Sequence, residues 1–221
     1  MTDKNPQKIK NMFDEISPYY DEMNNLMSLG THYLIKKDIL KKLNIEKHSQ
    51  ILDLCCGTGD FSRIINKLQP SAKVIGLDIS SEMLKTAKSK NPSNTFILGD
   101  CTNLPFKENE FDYVTIGFGL RNIENRTKAL SEIYRVLKPH GKFLHLDFGK
   151  HNFAGKIFDF CVPILAKILK KNLSSYSYLI SSKNEYPEPD ELLIEFENAG
   201  LKYVLKRDYI FGAISAQICE K

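Results

Sequence analysis

Cysteine is sparse in this chain and shows no pairing pattern. The five residues Cys55, Cys56, Cys101, Cys161 and Cys219 include no C-x-x-C spacing and have no histidines nearby at zinc-site intervals. A disulfide scaffold and a zinc module are therefore excluded, and a reducing, cytoplasmic setting is expected. Long apolar runs are missing too. Residues 1–13 are polar and lysine-rich, unlike a secretory signal. The most apolar stretch, 158–169, is interrupted by Asp159, Pro163 and Lys167 and falls short of the roughly 20 residues that cross a bilayer. Nor does one sign of charge dominate. Lysine and arginine number 31 against 27 acidic residues, a net charge of +4, which is too small an excess to argue for nucleic acid. There is no internal repeat and no low-complexity linker.

What is present is an ordinary globular composition, 42% hydrophobic and 26% charged over 221 residues, which fits one domain of α/β size. Short apolar runs at 51–54, 74–77, 96–98, 113–116 and 143–146 read as strands buried on both faces, hence a parallel sheet. Helical signals alternate with them. Leu130, Ile133, Tyr134 and Leu137 form one apolar face before Pro139 and Gly141 stop the helix. Leu192, Leu193 and Phe196 form another face, closed by Gly200, and 202–208 and 212–219 read as two strands joined by a short turn that finish the sheet as an antiparallel edge. The expected organisation of 1–221 is a helical N-terminal cap (1–48), a cofactor-binding core (49–150), a substrate lid (151–188), and a last helix with closing strands (189–221).

The strongest motif is Ile51-Leu52-Asp53-Leu54-Cys55-Cys56-Gly57-Thr58-Gly59-Asp60, a buried strand running into glycines and then a helix. Glycine lets the backbone turn sharply and approach a ligand closely, although a glycine pair alone also ends strands for structural reasons. The surroundings decide. Asp78 closes the next strand about twenty residues on, where a carboxylate can accept both ribose hydroxyls of an adenosine. Asp53 and Asp60 would repel a pyrophosphate and attract a sulfonium and an ammonium group, so S-adenosylmethionine fits better than NAD. In Gly99-Asp100-Cys101, Asp100 either accepts from an adenine amino group or caps a turn. Ser62, at the usual third glycine of a dinucleotide fingerprint, disfavours an NAD-dependent oxidoreductase.

These motifs, with Leu104-Pro105-Phe106 before Phe111-Asp112 and Leu137-Lys138-Pro139 before Gly141, make the chain resemble a class I methyltransferase. Three further stretches narrow the resemblance. Tyr20-Asp21-Glu22-Met23-Asn24-Asn25-Leu26-Met27-Ser28-Leu29-Gly30-Thr31-His32 follows Y-D-x-M-N-x-x-M-S-x-G-x-H, Gly117-Phe118-Gly119-Leu120-Arg121-Asn122 is similar to S-F-G-L-R-N, and Ser175-Tyr176-Ser177-Tyr178-Leu179 to S-Y-R-Y-L. The chain thus resembles the ubiquinone/menaquinone biosynthesis C-methyltransferases. That resemblance implies a Rossmann-like α/β fold, a mostly parallel seven-stranded sheet with an antiparallel C-terminal strand. It implies S-adenosylmethionine as cofactor, contacted at Thr58, Asp78, Asp100 and Cys101, with Gly57 and Gly59 shaping the loop and Asp53 and Gly117 beside it. The implied substrate is a prenylated quinol, demethylmenaquinol ahead of a polyprenyl benzoquinol or another small phenol. In two places the chain departs from the pattern. Gly117 stands where the family has serine, and Ser177 where it has arginine, which removes an expected substrate-site charge.

Methylating a ring carbon requires electron density there, which loss of a proton from an adjacent hydroxyl supplies. Arg121 is the candidate to stabilise that oxygen and order a water as base, with Asn122 orienting the water. A plainer reading pairs Arg121 with a surface carboxylate such as Glu124. Asp147, at the end of the fifth strand, is expected to face the crevice as a substrate contact or second base, or to serve as a cap. Tyr20 and Tyr178 would wall the pocket over a flat ring. His145 reads as a satisfied core residue, and His48, His140 and His151 as loop residues, so no histidine is assigned a catalytic part. Cys55 and Cys56 read as small apolar residues, and no metal is required. Residues 152–172, mixing aromatics with Lys156, Lys167, Lys170 and Lys171, suit either an ordinary lid helix or an amphipathic surface on an anionic membrane. The reading leaves room for peripheral membrane contact and for a homodimer. A non-catalytic binding module on the same fold is the remaining alternative.

Overall fold

Three helices lead the chain: α1 (Pro6–Ile16), α2 (Tyr20–Ser28) and α3 (Thr31–Lys42). The structure is a computed structural model and describes residues 2–150, 153, 155, 159 and 173–221. Helix α1 starts where the Asn5 side chain accepts from the backbone N–H groups of Gln7 and Lys8, with Pro6 in its first turn. Helix α2 ends in two left-handed residues, Leu29 at φ 49° and Gly30 at φ 74°, which turn the chain into α3. Strand and helix then alternate: β1 (Gln50–Leu54), α4 (Asp60–Leu68), β2 (Lys73–Asp78), α5 (Ser81–Lys90), β3 (Thr95–Leu98), β4 (Phe111–Gly117), α6 (Arg126–Val136) and β5 (Leu137–Phe148). Helices α7 (Leu173–Asn184) and α8 (Pro189–Asn198) precede β6 (Lys202–Tyr209) and β7 (Ile214–Glu220).

The seven strands form one sheet in the order β3-β2-β1-β4-β5-β7-β6. β1 to β5 pair in parallel, and β7 runs antiparallel to both β5 and β6. Chain order reverses between β1 and β4, so connections leave in opposite directions and a crevice opens at the carboxyl ends of those strands, the usual ligand position in open α/β sheets. Alternate residues of each strand feed opposite faces. Leu52, Val114 and Phe143 pack with α6 and α8 on one face, and Ile51, Tyr113 and Leu144 with α3 and α4 on the other.

Some elements differ from their sequence signals. The closing pair forms the expected antiparallel edge, with β6 outermost and, between it and β5, β7. Its start, Ile214, lies beyond the expected Gly212, because Ile210–Gly212 form a 3-10 turn. Helix α6 ends at Val136, and Leu137 already belongs to β5, paired with Phe111. Pro139, His140 and Gly141 fall in the register irregularity that follows, so they interrupt a strand rather than terminate a helix. Tyr134 is half-exposed, its ring lying against Gly200 and beneath Lys221 instead of in the core.

Candidate active site

The crevice holds two adjoining cavities of about 150 and 200 Å³ that share Phe13, Tyr20, Cys55, Gly57, Gly117 and Phe118 as lining. The loop after β1 builds their common floor. Cys55, Gly57 and Gly59 all adopt positive φ, at 49°, 53° and 81°, and nothing lies within 4 Å of where a Cβ on Gly57 would stand. That open cradle lets a ligand approach the backbone closely.

In the smaller cavity Asp78 ends β2 with one carboxylate oxygen accepting from the Gly57 N–H at 2.8 Å and the other from the Ser80 N–H at 2.9 Å. Burial pushes its pKa up despite those donors. Asp100 and Cys101 line the same cavity. Asp100 is exposed and one of its oxygens accepts from the Thr102 N–H at 2.8 Å, so the turn-capping reading describes part of what it does. A hydrogen bond with the Cys101 thiol, together with burial, raises the Cys55 thiol well above its ordinary range. Burial does the same to Cys56. Such thiols are poor nucleophiles and serve as packing.

The acidic residues of the loop do not offer free charge. Asp53 is buried beneath the loop, accepting from Ser62 Oγ at 2.8 Å, from the Ser62 N–H at 3.2 Å and from Thr115 Oγ1 at 2.9 Å. Burial lifts its pKa to about 6. Its work is to hold the start of α4 on β1. Ser62, which stands in place of a third glycine, supplies two of those three donors. Burial works to raise the pKa of Asp60 as well, but the Lys36 ammonium at 2.8 Å outweighs it and holds the carboxyl below its usual range. The electrostatic attraction expected from this pair is therefore spent within the protein. Thr58 is buried, and its hydroxyl donates to Asp21 of α2 at 2.6 Å. Asp14 of α1 similarly accepts from Ser80 Oγ at 2.6 Å. Asp14 and Asp21 were not assigned from sequence, although Asp21 lies inside the Tyr20–His32 motif. Their part depends on a cap folding back over the strand ends, which periodicity does not report.

The larger cavity is walled by Met23, Met27, Phe61, Phe148 and Tyr178, with Arg121 among its few charged residues. Arg121 is not paired with Glu124. It lies buried with Nη1 donating to Asp147 at 2.9 Å and to the Phe118 carbonyl, and its guanidinium sits 5.1 Å from the Phe148 ring centroid. Arg121 Nε is buried without a partner among the described residues. Asp147 lines neither cavity: it is fully buried, with its Oδ1 accepting from Arg121 Nη1. The crevice-facing carboxylate expected from sequence is thus a positioning partner for Arg121. Asn122 Oδ1 accepts from the Tyr178 hydroxyl at 3.0 Å, and burial pushes the Tyr178 pKa up to about 12, so that hydroxyl stays protonated as a donor. Tyr20 lines both cavities.

The two departures have physical readings. A Cβ at Gly117 would stand 3.0 Å from the Phe61 ring, so here the phenyl group occupies the room a serine side chain takes. Ser177 is exposed on α7 and lines neither cavity. His145 is a satisfied core residue, with Nδ1 against Gln217 at 2.6 Å and Nε2 against Tyr186 at 3.0 Å. Most of 152–172, with the proposed amphipathic surface, and His151 lie outside the described residues. Among the described residues no helix is long and apolar enough to cross a membrane, and no His/Cys/Asp/Glu group has metal-site geometry.

The whole chain, residues 1–221, matches the ubiE/COQ5 methyltransferase family model. A demethylmenaquinone methyltransferase of Anoxybacillus flavithermus is 36% identical over all of this chain and 98% of its own length. One from Staphylococcus carnosus is 39% identical over 96% of this chain and 92% of its own. Among solved structures, a SAM-dependent methyltransferase from Aquifex aeolicus superposes with a TM-score of 0.68 at 17% identity, covering 90% of this chain and 97% of the other. The [4+2]-cyclase SpnF gives 0.74 at 15%, over 98% and 96%. Haemonchus contortus phosphoethanolamine N-methyltransferase 2, solved with S-adenosyl-L-methionine, gives 0.61 at 24%, over 78% of this chain and 38% of that one. These structural likenesses concern the fold, and the cyclase illustrates that the fold alone does not set the reaction.

Proposed function

The chain belongs to the ubiE/COQ5 methyltransferase family, and from that premise we propose that it methylates a ring carbon of a prenylated quinol, demethylmenaquinol, to give menaquinol. The observation that carries the reading is the buried Arg121 in the lining of an apolar, aromatic-walled cavity that adjoins a second one lined by Gly57, Asp78 and Asp100.

S-adenosylmethionine is the methyl donor, and the residues fit it. Asp78 and Asp100 line the smaller cavity, Gly57 lines both, and Thr58 lines the larger one. When bound, S-adenosylmethionine supplies an electrophilic methyl on sulfonium.

The protein's own contribution is at the quinol oxygen. Arg121 places a cation there with its orientation fixed by Asp147, and that charge favours the ionised hydroxyl. The hydroxyl proton passes to a water ordered between Arg121 and Asn122. With the hydroxyl ionised beside Arg121, the adjacent ring carbon would be the nucleophile towards the methyl that S-adenosylmethionine would supply, and the ring proton would pass to solvent as aromaticity returns. Holding carbon and methyl in attack geometry is worth up to about 7 to 11 kcal/mol in favourable cases.

The tail of such a substrate would leave the larger cavity beside α2 and the Ile210–Ile214 segment, both of which contribute to its lining. Leu29, Leu34, Ile210 and Phe211 are exposed, and these apolar side chains are our candidates for the surface that meets the membrane from which the substrate comes.

The experiment is transfer of labelled methyl to reduced demethylmenaquinone and, in parallel, to the benzoquinol analogue, by wild type and Arg121→Lys. Label in the naphthoquinol, reduced on the order of 100-fold in the variant with cofactor affinity unchanged, supports the reading. Absence of label in both quinols with tight cofactor binding would overturn the substrate and leave the methyltransferase.

A further inference from the structure

Two residues that line the larger cavity each carry a buried polar atom without a partner among the described residues: Arg121 Nε and His32 Nε2. The first is a donor. The second is an acceptor, as its hydrogen bonds require. The Ser28 hydroxyl donates its single proton to the Asn24 carbonyl at 2.7 Å. At 3.1 Å from His32 Nδ1 it has no second proton to give, so Nδ1–H donates to Ser28 Oγ. In a neutral ring this leaves Nε2 as a bare lone pair. Burial and the Lys36 ammonium keep the ring neutral, lowering its pKa to about 4. The ring cannot swing away, since it packs on Tyr33 with centroids 4.0 Å apart and is only 7% exposed.

We infer that His32 is a specificity-determining residue: Nε2 accepts a hydrogen bond from a hydroxyl of the reduced ring and thereby selects quinol over quinone. The inference rests on the quinol reading above and deepens it. A quinol carries O–H groups that satisfy Nε2, whereas a quinone offers only carbonyl oxygens, which face the lone pair unfavourably and leave a buried acceptor unpaired. The discrimination has a use, because only the reduced ring has a hydroxyl to ionise beside Arg121. Binding that rejected the oxidised form only at the chemical step would let quinone occupy the site as an inhibitor.

The test is binding of a short-tailed demethylmenaquinol and of its quinone to protein saturated with S-adenosylhomocysteine, under anaerobic conditions, for wild type, His32→Leu, His32→Gln and Ser28→Ala. Wild type is expected to prefer the quinol by on the order of tenfold to a hundredfold. His32→Leu should lose that preference by weakening the quinol alone, seen in turnover as a raised KM for quinol and weaker inhibition by quinone relative to it. His32→Gln, which keeps an acceptor, should recover part. Ser28→Ala leaves the ring in place but frees the tautomer, and its partial loss of preference keeps the idea testable should His32→Leu fail to fold. Unchanged preference in His32→Leu and Ser28→Ala would overturn the inference while leaving the quinol reading intact. Loss of cofactor affinity instead of quinol affinity would overturn it too, assigning Nε2 to the cofactor's ammonium. Wild type binding neither ring form would sink the quinol reading and the inference together.

Discussion

Arg121 and Asp147 are 7% and 0% exposed at their side chains, so their pairing is a matter of stability as well as chemistry. Removing one partner leaves the other as an uncompensated buried charge, which typically costs about 3 to 5 kcal/mol, whereas replacing both with apolar groups is often near neutral. Arg121→Met should therefore lower the urea midpoint sharply and Arg121→Met/Asp147→Leu should restore most of it, with both variants inactive. An equal loss in single and double variants would show that the pair does not carry the stability. His32 gives a second prediction at this scale, with a definite sign. Lys36 on its own helix opposes its protonation, while Asp60 of α4 and Asp21 of α2 favour it, and burial dominates, placing the folded pKa at about 4 against an ordinary 6.5. A base depressed in the fold binds fewer protons folded than unfolded. Its contribution is complete above pH 6.5 and is lost as pH falls towards 4, on the order of 3 kcal/mol in all. Urea midpoints measured from pH 7 to 4 should fall more steeply for wild type than for His32→Leu.

The element that organises the site is the β1–α4 turn, and it shows what sequence conveys. Gly59, at φ 81°, starts α4 without a side-chain cap, and a Cβ there would stand 2.7 Å from Asn91 Nδ2 and 3.2 Å from Ala87 Cβ. Gly59→Ala should cost roughly 1 to 2 kcal/mol for the left-handed backbone alone and lower Tm by roughly 2 to 8 °C. Weaker cofactor binding should accompany it, since the loop must shift away from α5. A melt unchanged from wild type would refute the strain. This turn was legible because glycines after a buried strand have few alternatives, and the parallel strands were legible because burial on both faces writes continuous apolar runs. Arg121, Asn122 and Tyr178 were legible through their motifs, and the structure brings them within hydrogen-bonding reach of one another or of shared carbonyls. What stayed hidden depends on distant pairing. Asp147 alternates correctly for a crevice residue, yet Arg121 covers it. Asp60 looks like free charge until α3 delivers Lys36. The place of β7 between β5 and β6 is set by long-range pairing, which leaves β7 buried and β6, with Lys202, Lys206, Arg207 and Asp208, as the exposed edge.

At the scale of the whole molecule, the N-terminal helices close the crevice from above: Asp14 and Asp21 reach down to Ser80 and Thr58, and the Thr2 N–H donates to Glu185 at 2.7 Å near the end of α7. Among the described residues, α2 and the β6–β7 connection both contribute to the lining of the larger cavity. The two sides are tied together, because Asp38 of α3 accepts from the Tyr209 hydroxyl at 2.9 Å and pairs with Arg207 at 2.8 Å, and Leu34 lies one turn before Asp38 on the same helical face. Leu29 is 86% exposed and Leu34 69%, an expensive way to meet water but a suitable rim for a lipid surface. Lys37, Lys41 and Lys42 stand exposed on α3 beyond them, where anionic headgroups would sit. Each leucine that enters the acyl boundary gains on the order of 1.5 to 3 kcal/mol. Leu29→Ser/Leu34→Ser should accordingly reduce co-sedimentation with anionic vesicles at least tenfold while leaving the melting temperature unchanged. In turnover, KM should rise for a long-tailed quinol presented in vesicles and stay constant for a tail-less quinol in solution. Equal KM changes for both substrates would place these leucines in the pocket's architecture instead of at a membrane, and unchanged sedimentation would remove the rim from the route by which the substrate enters.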